Sequence, residues 1–191
     1  MEIINVSPMD ITFPYDNNEW GLRPEPKETD SDWQETLDLK ELIRKESMQD
    51  LFSCRPLGEG KYEVINGSRR LKVCQMLCQE GDVRFQQIPI QVNNIDEISS
   101  LELQVAGNAT VKPTNAKQYS AALAKIAVSK QYSVKELASA VGKSESFVNN
   151  MLRFNRLPND IQELVANGQM PVINAITMTK LPKDIDLNSL V

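Results

Sequence analysis

The chain has 191 residues, 41% hydrophobic and 25% charged, with a formal net charge of −5 and no histidine. That length holds one domain or two small ones and buries a core without staples. With no run near the ~18 apolar residues of a membrane helix, a spanning chain is not expected. Without histidine, Ser-His-Asp and Cys-His catalysis, His-ligated zinc and an imidazole base near neutral pH are excluded.

Residues 1–32 carry four prolines and no sustained period of 2 or 3.6, and read as an acidic arm. The start, Met1 to Asp10, has no basic stretch leading into an apolar one, so the cytoplasm is the expected compartment. Asp38 with Glu41 resembles a capping box, and Leu39, Leu42 and Ile43 share a helical face, which predicts a short helix to Ser47. Lys61 to Gly67 alternates as a strand ending in a tight turn. A helix over Arg69 to Gln79 follows, with Gly81 at its stop. Ile88 to Val92 reads as a strand and Asp96 to Val105 as a helix. Cys54, Cys74 and Cys78 form no Cys-x-x-Cys pair and read as reduced core residues.

From Thr114 onward the pattern is helical throughout. Ala116, Tyr119, Leu123 and Ile126 mark one helix to about Lys130, and Ser133 with Glu136 caps the next. Further helices are expected over Asp160 to Asn167 and Val172 to Thr179. Charge is unevenly spread along this order. Residues 112–157 hold eight basic and two acidic side chains, whereas every other stretch is net acidic. A local basic patch on an acidic chain suits an anion-binding face, although a solvated helical face has the same composition.

Two motifs carry chemistry. Val134 to Val141, the turn Gly142-Lys143-Ser144, and Glu145 to Phe154 have the spacing of a helix-turn-helix, with Ala138 at the close approach and Leu137, Val141, Val148 and Met151 on the shared face. That leaves Lys143, Ser144, Glu145, Ser146, Asn149, Asn150, Arg153 and, just beyond, Arg156 to meet phosphates or base edges. A plain helical hairpin would have the same outline. The second motif, Tyr62 to Arg70, ends a strand in Gly67-Ser68 and places Arg69 and Arg70 in the first turn of a helix. Cations there oppose the helix dipole unless an anion bridges them, which suggests a phosphate site. The alternative is that one arginine pairs with a carboxylate such as Glu63 and the other faces solvent.

Over residues 36–182 this order of features resembles the ParB/Spo0J-like partition proteins. Leu39 to Ile43 is similar to the family's first helix and Met48-Gln49-Asp50-Leu51 to its Gly-x-x-Gln-Pro segment. Tyr62 to Arg70 is similar to its Gly-Glu-Arg-Arg box. Ser133 to Ser144, Val148 to Arg153 and Leu157-Pro158 resemble its helix-turn-helix. The resemblance implies an α+β chain: an arm over 1–32, a ParB/sulfiredoxin-like nucleotide-binding domain over 33–111 and an all-α helix-turn-helix domain over 112–191. It implies CTP with Mg2+ held by Gln49, Gly67, Ser68, Arg69, Arg70, Asn108 and Lys112, the metal at Asn108, and double-stranded DNA held by the second domain. It also implies a homodimer that closes as a clamp on DNA, in partition of a plasmid, phage or chromosome or in related gene regulation. Localisation at the nucleoid or a plasmid follows, and the arm or first domain is a candidate surface for a protein partner.

Departures from the family pattern modify these expectations. Ser68 replaces the box glutamate, Gly107 a magnesium-associated glutamate and Val111 an arginine, with Lys112 the nearest cation. Nucleotide binding with slow or no hydrolysis is therefore expected, at most a weak CTPase. Two alternatives stand beside it: a DNA-binding regulator that has lost its nucleotide, and a metal-dependent nuclease using Asp96, Glu97 and Glu102, residues that also read as a solvated helical face.

Overall fold

The computed structural model describes residues 2–14, 27–29, 33–46, 51–107 and 116–178. The chain forms two compact units, Met1–Gln104 and Val105–Val191. No helix among the described residues is long and apolar enough to cross a membrane.

The first unit is built on a five-stranded sheet of order β1-β5-β3-β4-β2, from β1 (Glu2–Val6), β2 (Ile11–Thr12), β3 (Phe52–Gly58), β4 (Lys61–Asn66) and β5 (Ile88–Val92). The pairs β1–β5 and β3–β4 are antiparallel, and β3–β5 and β2–β4 are parallel. Helices α1 (Trp33–Glu46) and α2 (Ser68–Gln79) pack on each other. Ile43 of α1 and Leu71, Val73, Cys74 and Leu77 of α2 join Phe52, Cys54, Val64, Ile88, Ile90 and Val92 of the sheet in one core. Burying a ring such as that of Phe52 contributes roughly 1.5–3 kcal/mol. Opposite residues of β3 and β4, Arg55 and Glu63, form a two-pronged ion pair, Nε to Oε1 at 2.7 Å and Nη2 to Oε2 at 3.2 Å. Such a pair fixes strand register more than it adds stability, because both groups give up most of their water.

Two sequence expectations are corrected here, and one strand had no expectation at all. Residues 2–12, read as part of an arm, supply both edge strands and a 3-10 turn at Pro8–Asp10. Their pairing partners lie 50 to 90 residues away, so no local period marks them. Strand β3 had no alternation to announce it, because a bulge on either side of its central residues breaks the period. Helix α1 starts at Trp33, before the expected Asp38 cap, whose carboxylate accepts from Gln34 Nε2 along the helix at 2.9 Å. The strand at Lys61–Asn66, the helix at Ser68–Gln79 and the strand at Ile88–Val92 lie where the sequence puts them.

Helix α3 (Glu97–Gly107) crosses the division, and the described part of the second unit is wholly helical: α4 (Ala116–Lys130), α5 (Val134–Ala140), α6 (Glu145–Phe154), α7 (Asn159–Ala166) and α8 (Val172–Met178). Helix α4 packs on α5, α6 and α7, and α8 closes on α6 and α7. Gln162, buried in α7, donates through Nε2 to the carbonyls of Asn155 at 3.2 Å and Leu157 at 2.8 Å, which fixes the exit of α6. Lys117 of α4 reaches Asn159 Oδ1 at 2.8 Å and the Glu163 carboxylate, tying α4 to α7.

Candidate functional site

Helices α5 and α6 start and stop on side-chain and backbone caps that the local sequence supplies. At Ser133 the hydroxyl accepts from the Glu136 amide while the Glu136 carboxylate accepts from the Ser133 amide, a complete capping box. Helix α5 then ends in a Schellman turn: the Lys143 amide donates to the Ala138 carbonyl at 3.0 Å and the Gly142 amide to Ser139 at 3.4 Å. Gly142 takes φ 64°, the left-handed conformation that this turn requires. Two residues later Ser144 accepts from the Phe147 amide at 3.2 Å and starts α6. The paired helices bury Leu137, Ala138, Val141, Val148 and Met151, the face the spacing predicts, and Phe154 is buried with them.

Ser146, Asn149, Asn150 and Arg153 fall within an arc of about 100° on α6, opposite Val148, Met151 and Phe154. Ser146, Asn149 and Arg153 are exposed and Asn150 is half-buried. Arg156 is exposed in the turn after the helix, and the Lys143 ammonium lies 5.4 Å from the ring centroid of Phe147. Ser144 is exposed as well, with its oxygen engaged as the helix cap. The second helix of the pair thus presents amides, a hydroxyl and a guanidinium on one open face, the groups that read base edges and phosphates.

The Gly67 turn lies in the first unit. Gly67 caps α2 at φ 101° and ψ 27° with no side-chain hydrogen bond to the helix start. First-turn amides have no acceptor within their own helix, so this end is electropositive. A Cβ at Gly67 would lie 3.2 Å from both Arg70 Nη2 and Phe52 Cδ1. Ser68 is buried. Arg69 Nη1 donates to Glu35 Oε2 of α1 at 2.8 Å, and the Arg70 guanidinium carbon lies 5.7 Å from the Phe52 ring centroid. Glu35 and Phe52 went unnoticed in the sequence because α1 and β3 bring them in from other parts of the chain. Glu63 is engaged by Arg55, a partner the sequence reading did not name.

Gln49, Asn108 and Lys112 lie outside the described residues. Of the three carboxylates considered for a metal, Asp96 accepts from the Ser99 amide at 2.7 Å at the start of α3, an N-terminal cap. Among the described residues no three His, Cys, Asp or Glu side chains gather as a metal site.

Residues 114–191 match the ParB HTH domain family. That stretch of the chain is similar to the helix-turn-helix domain of ParB proteins. Its relatives include the probable chromosome-partitioning protein ParB of Pseudomonas putida, 26% identical over 147 residues, which are 77% of this chain and 49% of that protein. That of Coxiella burnetii is 26% identical over 144 residues, 75% of this chain and 47% of the relative. The chain therefore spans about half the length of these curated relatives. Among solved structures it is similar to the C-terminally truncated chromosome-partitioning protein ParB from Caulobacter crescentus complexed to the centromeric parS site. That match has a TM-score of 0.64 and 20% identity, and covers 94% of this chain and 86% of that one. The pNOB8-like ParB N-domain matches with a TM-score of 0.59 at 16% identity, covering 98% and 78%. The fold is the expected one, a mixed α/β ParB-like first unit followed by a helix-turn-helix unit.

Proposed function

We propose that this ParB-like chain binds double-stranded DNA through α6 and acts in DNA partition or related gene regulation, with a nucleotide, CTP, adjusting how the DNA is held. The observation that carries the DNA reading is the open polar face of α6, set by the Ser133 box, the Gly142 turn and the Ser144 cap. Lys143, Arg153 and Arg156 meet phosphates and fix the docking register. Ser146, Asn149 and Asn150 face the base edges, where an amide pairs in two-pronged fashion with adenine. Ser144 supports them by fixing where the helix begins. The direct test is selection of bound duplexes from a random-sequence pool. Enrichment of a single, two-fold symmetric site is the expected result, since two such units on one dimer read two half-sites.

The Gly67 turn suits a triphosphate. An uncapped helix start, the Arg69 and Arg70 guanidinia and a glycine that admits close approach form a donor set for phosphate oxygens. Gln49, Asn108 and Lys112 complete the proposed set, with Asn108 beside Mg2+. A bound triphosphate supplies the negative charge that the paired arginines offset. Arg69 then exchanges Glu35 for phosphate, and Arg70, held against Phe52, stays oriented. The chain's response is a population shift: two chains close together to the extent that the closed arrangement binds nucleotide more tightly than the open one. A nucleoid- or plasmid-associated homodimer follows from this reading.

A second reading has a specific observation behind it. Ser68, buried where the family's box has a carboxylate, and the Arg69–Glu35 pair both suit a first unit that holds itself together without a ligand and serves as a partner surface. Calorimetric titration with CTP, ATP, GTP and UTP, each with Mg2+, separates the two. Selective CTP binding that Arg70→Ala abolishes supports the nucleotide reading; no binding to any of the four supports the second.

A further inference from the structure

Helix α2 opens without an anion of its own. Its first turn begins Ser68-Arg69-Arg70 and holds no acidic side chain, and Gly67 before it offers no side-chain cap. By contrast α1, α3, α5, α6 and α7 each carry an acidic side chain in the first turn. A helix start is the positive end of the backbone dipole, and two guanidinia there add to that charge instead of offsetting it.

The charge that α2 lacks is brought in from α1. Glu35 Oε2 accepts from Arg69 Nη1 at 2.8 Å, across 34 positions of the chain. This pair differs from Arg55–Glu63 in the sheet, which makes two hydrogen bonds between side chains only 15% and 11% exposed. The Arg69 and Glu35 side chains are 37% and 69% exposed. Water reaches both, so they separate by rotation of surface side chains and the helices stay where they are. An exposed ion pair of this kind holds its partners together by a factor of about five at most.

We infer that Glu35 is a built-in competitor for the phosphate site at the Gly67 turn: its carboxylate occupies the Arg69 guanidinium in the ligand-free chain and is displaced when the phosphates of a nucleotide arrive. This rests on the nucleotide reading above and adds its regulation. A phosphate and the Glu35 carboxylate are like charges directed at one guanidinium, so each weakens the hold of the other. Nucleotide therefore selects the fraction of chains in which Arg69 has left Glu35, and its apparent affinity is reduced by that fraction.

The test is Glu35→Gln in the full chain, titrated calorimetrically with CTP and Mg2+ at low and at moderate salt. Glu41→Gln is the charge control, since it removes the same charge from the same helix at a carboxylate that pairs with Arg44. Expected for Glu35→Gln is CTP binding tighter by about three- to fivefold at low salt, a gain that shrinks as salt screens the carboxylate, while Glu41→Gln binds as wild type does. Binding by Glu35→Gln where wild type shows none is the same result in its strongest form. Unchanged or weaker binding in Glu35→Gln overturns the inference, because the carboxylate is then idle or part of the site. An equal gain in both variants overturns it as well, since the effect is then one of net charge. If neither wild type nor Glu35→Gln binds CTP, the nucleotide reading itself fails and takes the inference with it; if both bind equally, only the Glu35 assignment fails.

Discussion

Arg70 lies over the ring of Phe52 beside the Gly67 turn: the guanidinium carbon lies 5.7 Å from the ring centroid, and a side-chain carbon at Gly67 would lie 3.2 Å from each of the two residues. The ring comes from β3 and the cation from α2, so the sheet core orients an arginine that the sequence alone leaves free to swing. An arginine on an aromatic face loses less freedom when it takes up a phosphate.

Gly67→Ala tests that arrangement. With φ at 101° the turn is in a region where a side chain is strained, and the new carbon meets both the guanidinium and the ring. Expected is a loss of about 1–3 kcal/mol of stability, together with weakened CTP binding beyond what the destabilisation explains. Denaturant unfolding and calorimetric titration at a temperature where the variant is folded measure the two separately.

Ser133→Ala removes the hydroxyl that begins α5 and is expected to cost about 1 kcal/mol in denaturant unfolding. The Glu136 carboxyl is held below the ordinary carboxylate value by the Ser133 hydroxyl first and the Ser133 amide second. Its folded-state pKa being the lower, the contribution is fully present above the unfolded pKa and is lost as pH falls through the folded one. The stability gap between wild type and Glu136→Gln should therefore close as pH is lowered from neutral to below the carboxylate range. A gap that stays constant would contradict the capping role of the charge.

The thiols should divide by burial. Cys54 and Cys74 are buried in the first unit's core, which pushes each thiol up to about 12, whereas Cys78 is half-buried at the end of α2. At mildly alkaline pH an aromatic disulfide reagent should titrate one thiol of the native chain, Cys78, and all three after unfolding in guanidinium. Reaction of two or three thiols in the native state would mean that the core opens locally.

The helix-turn-helix was legible because every signal for it is local. Ser133 and Glu136 are three residues apart, Gly142 sits where the helix must stop, and Ser144 caps the next helix within two residues. Strands β1, β2 and β3 were not legible, since their register is decided by partners far along the chain and β3 is bulged and carries Pro56. The same distinction runs through the candidate sites. The polar face of α6 follows from helical spacing, whereas the Glu35 and Phe52 partners of Arg69 and Arg70 depend on tertiary contacts. The Tyr119 ring was placed by its helical period, but its edge-on contact with Phe147 exists only once α4 meets α6.

The salt dependence of duplex binding tests the central claim, that α6 and its entry turn hold DNA. The logarithm of the binding constant, plotted against the logarithm of salt concentration, is measured for wild type, Lys143→Ala and Arg153→Ala on the selected site. Each variant should bind more weakly with a slope shallower by about 0.9, one phosphate contact apiece. Wild-type affinity and an unchanged slope in both variants would remove α6 from the interface and contradict the account.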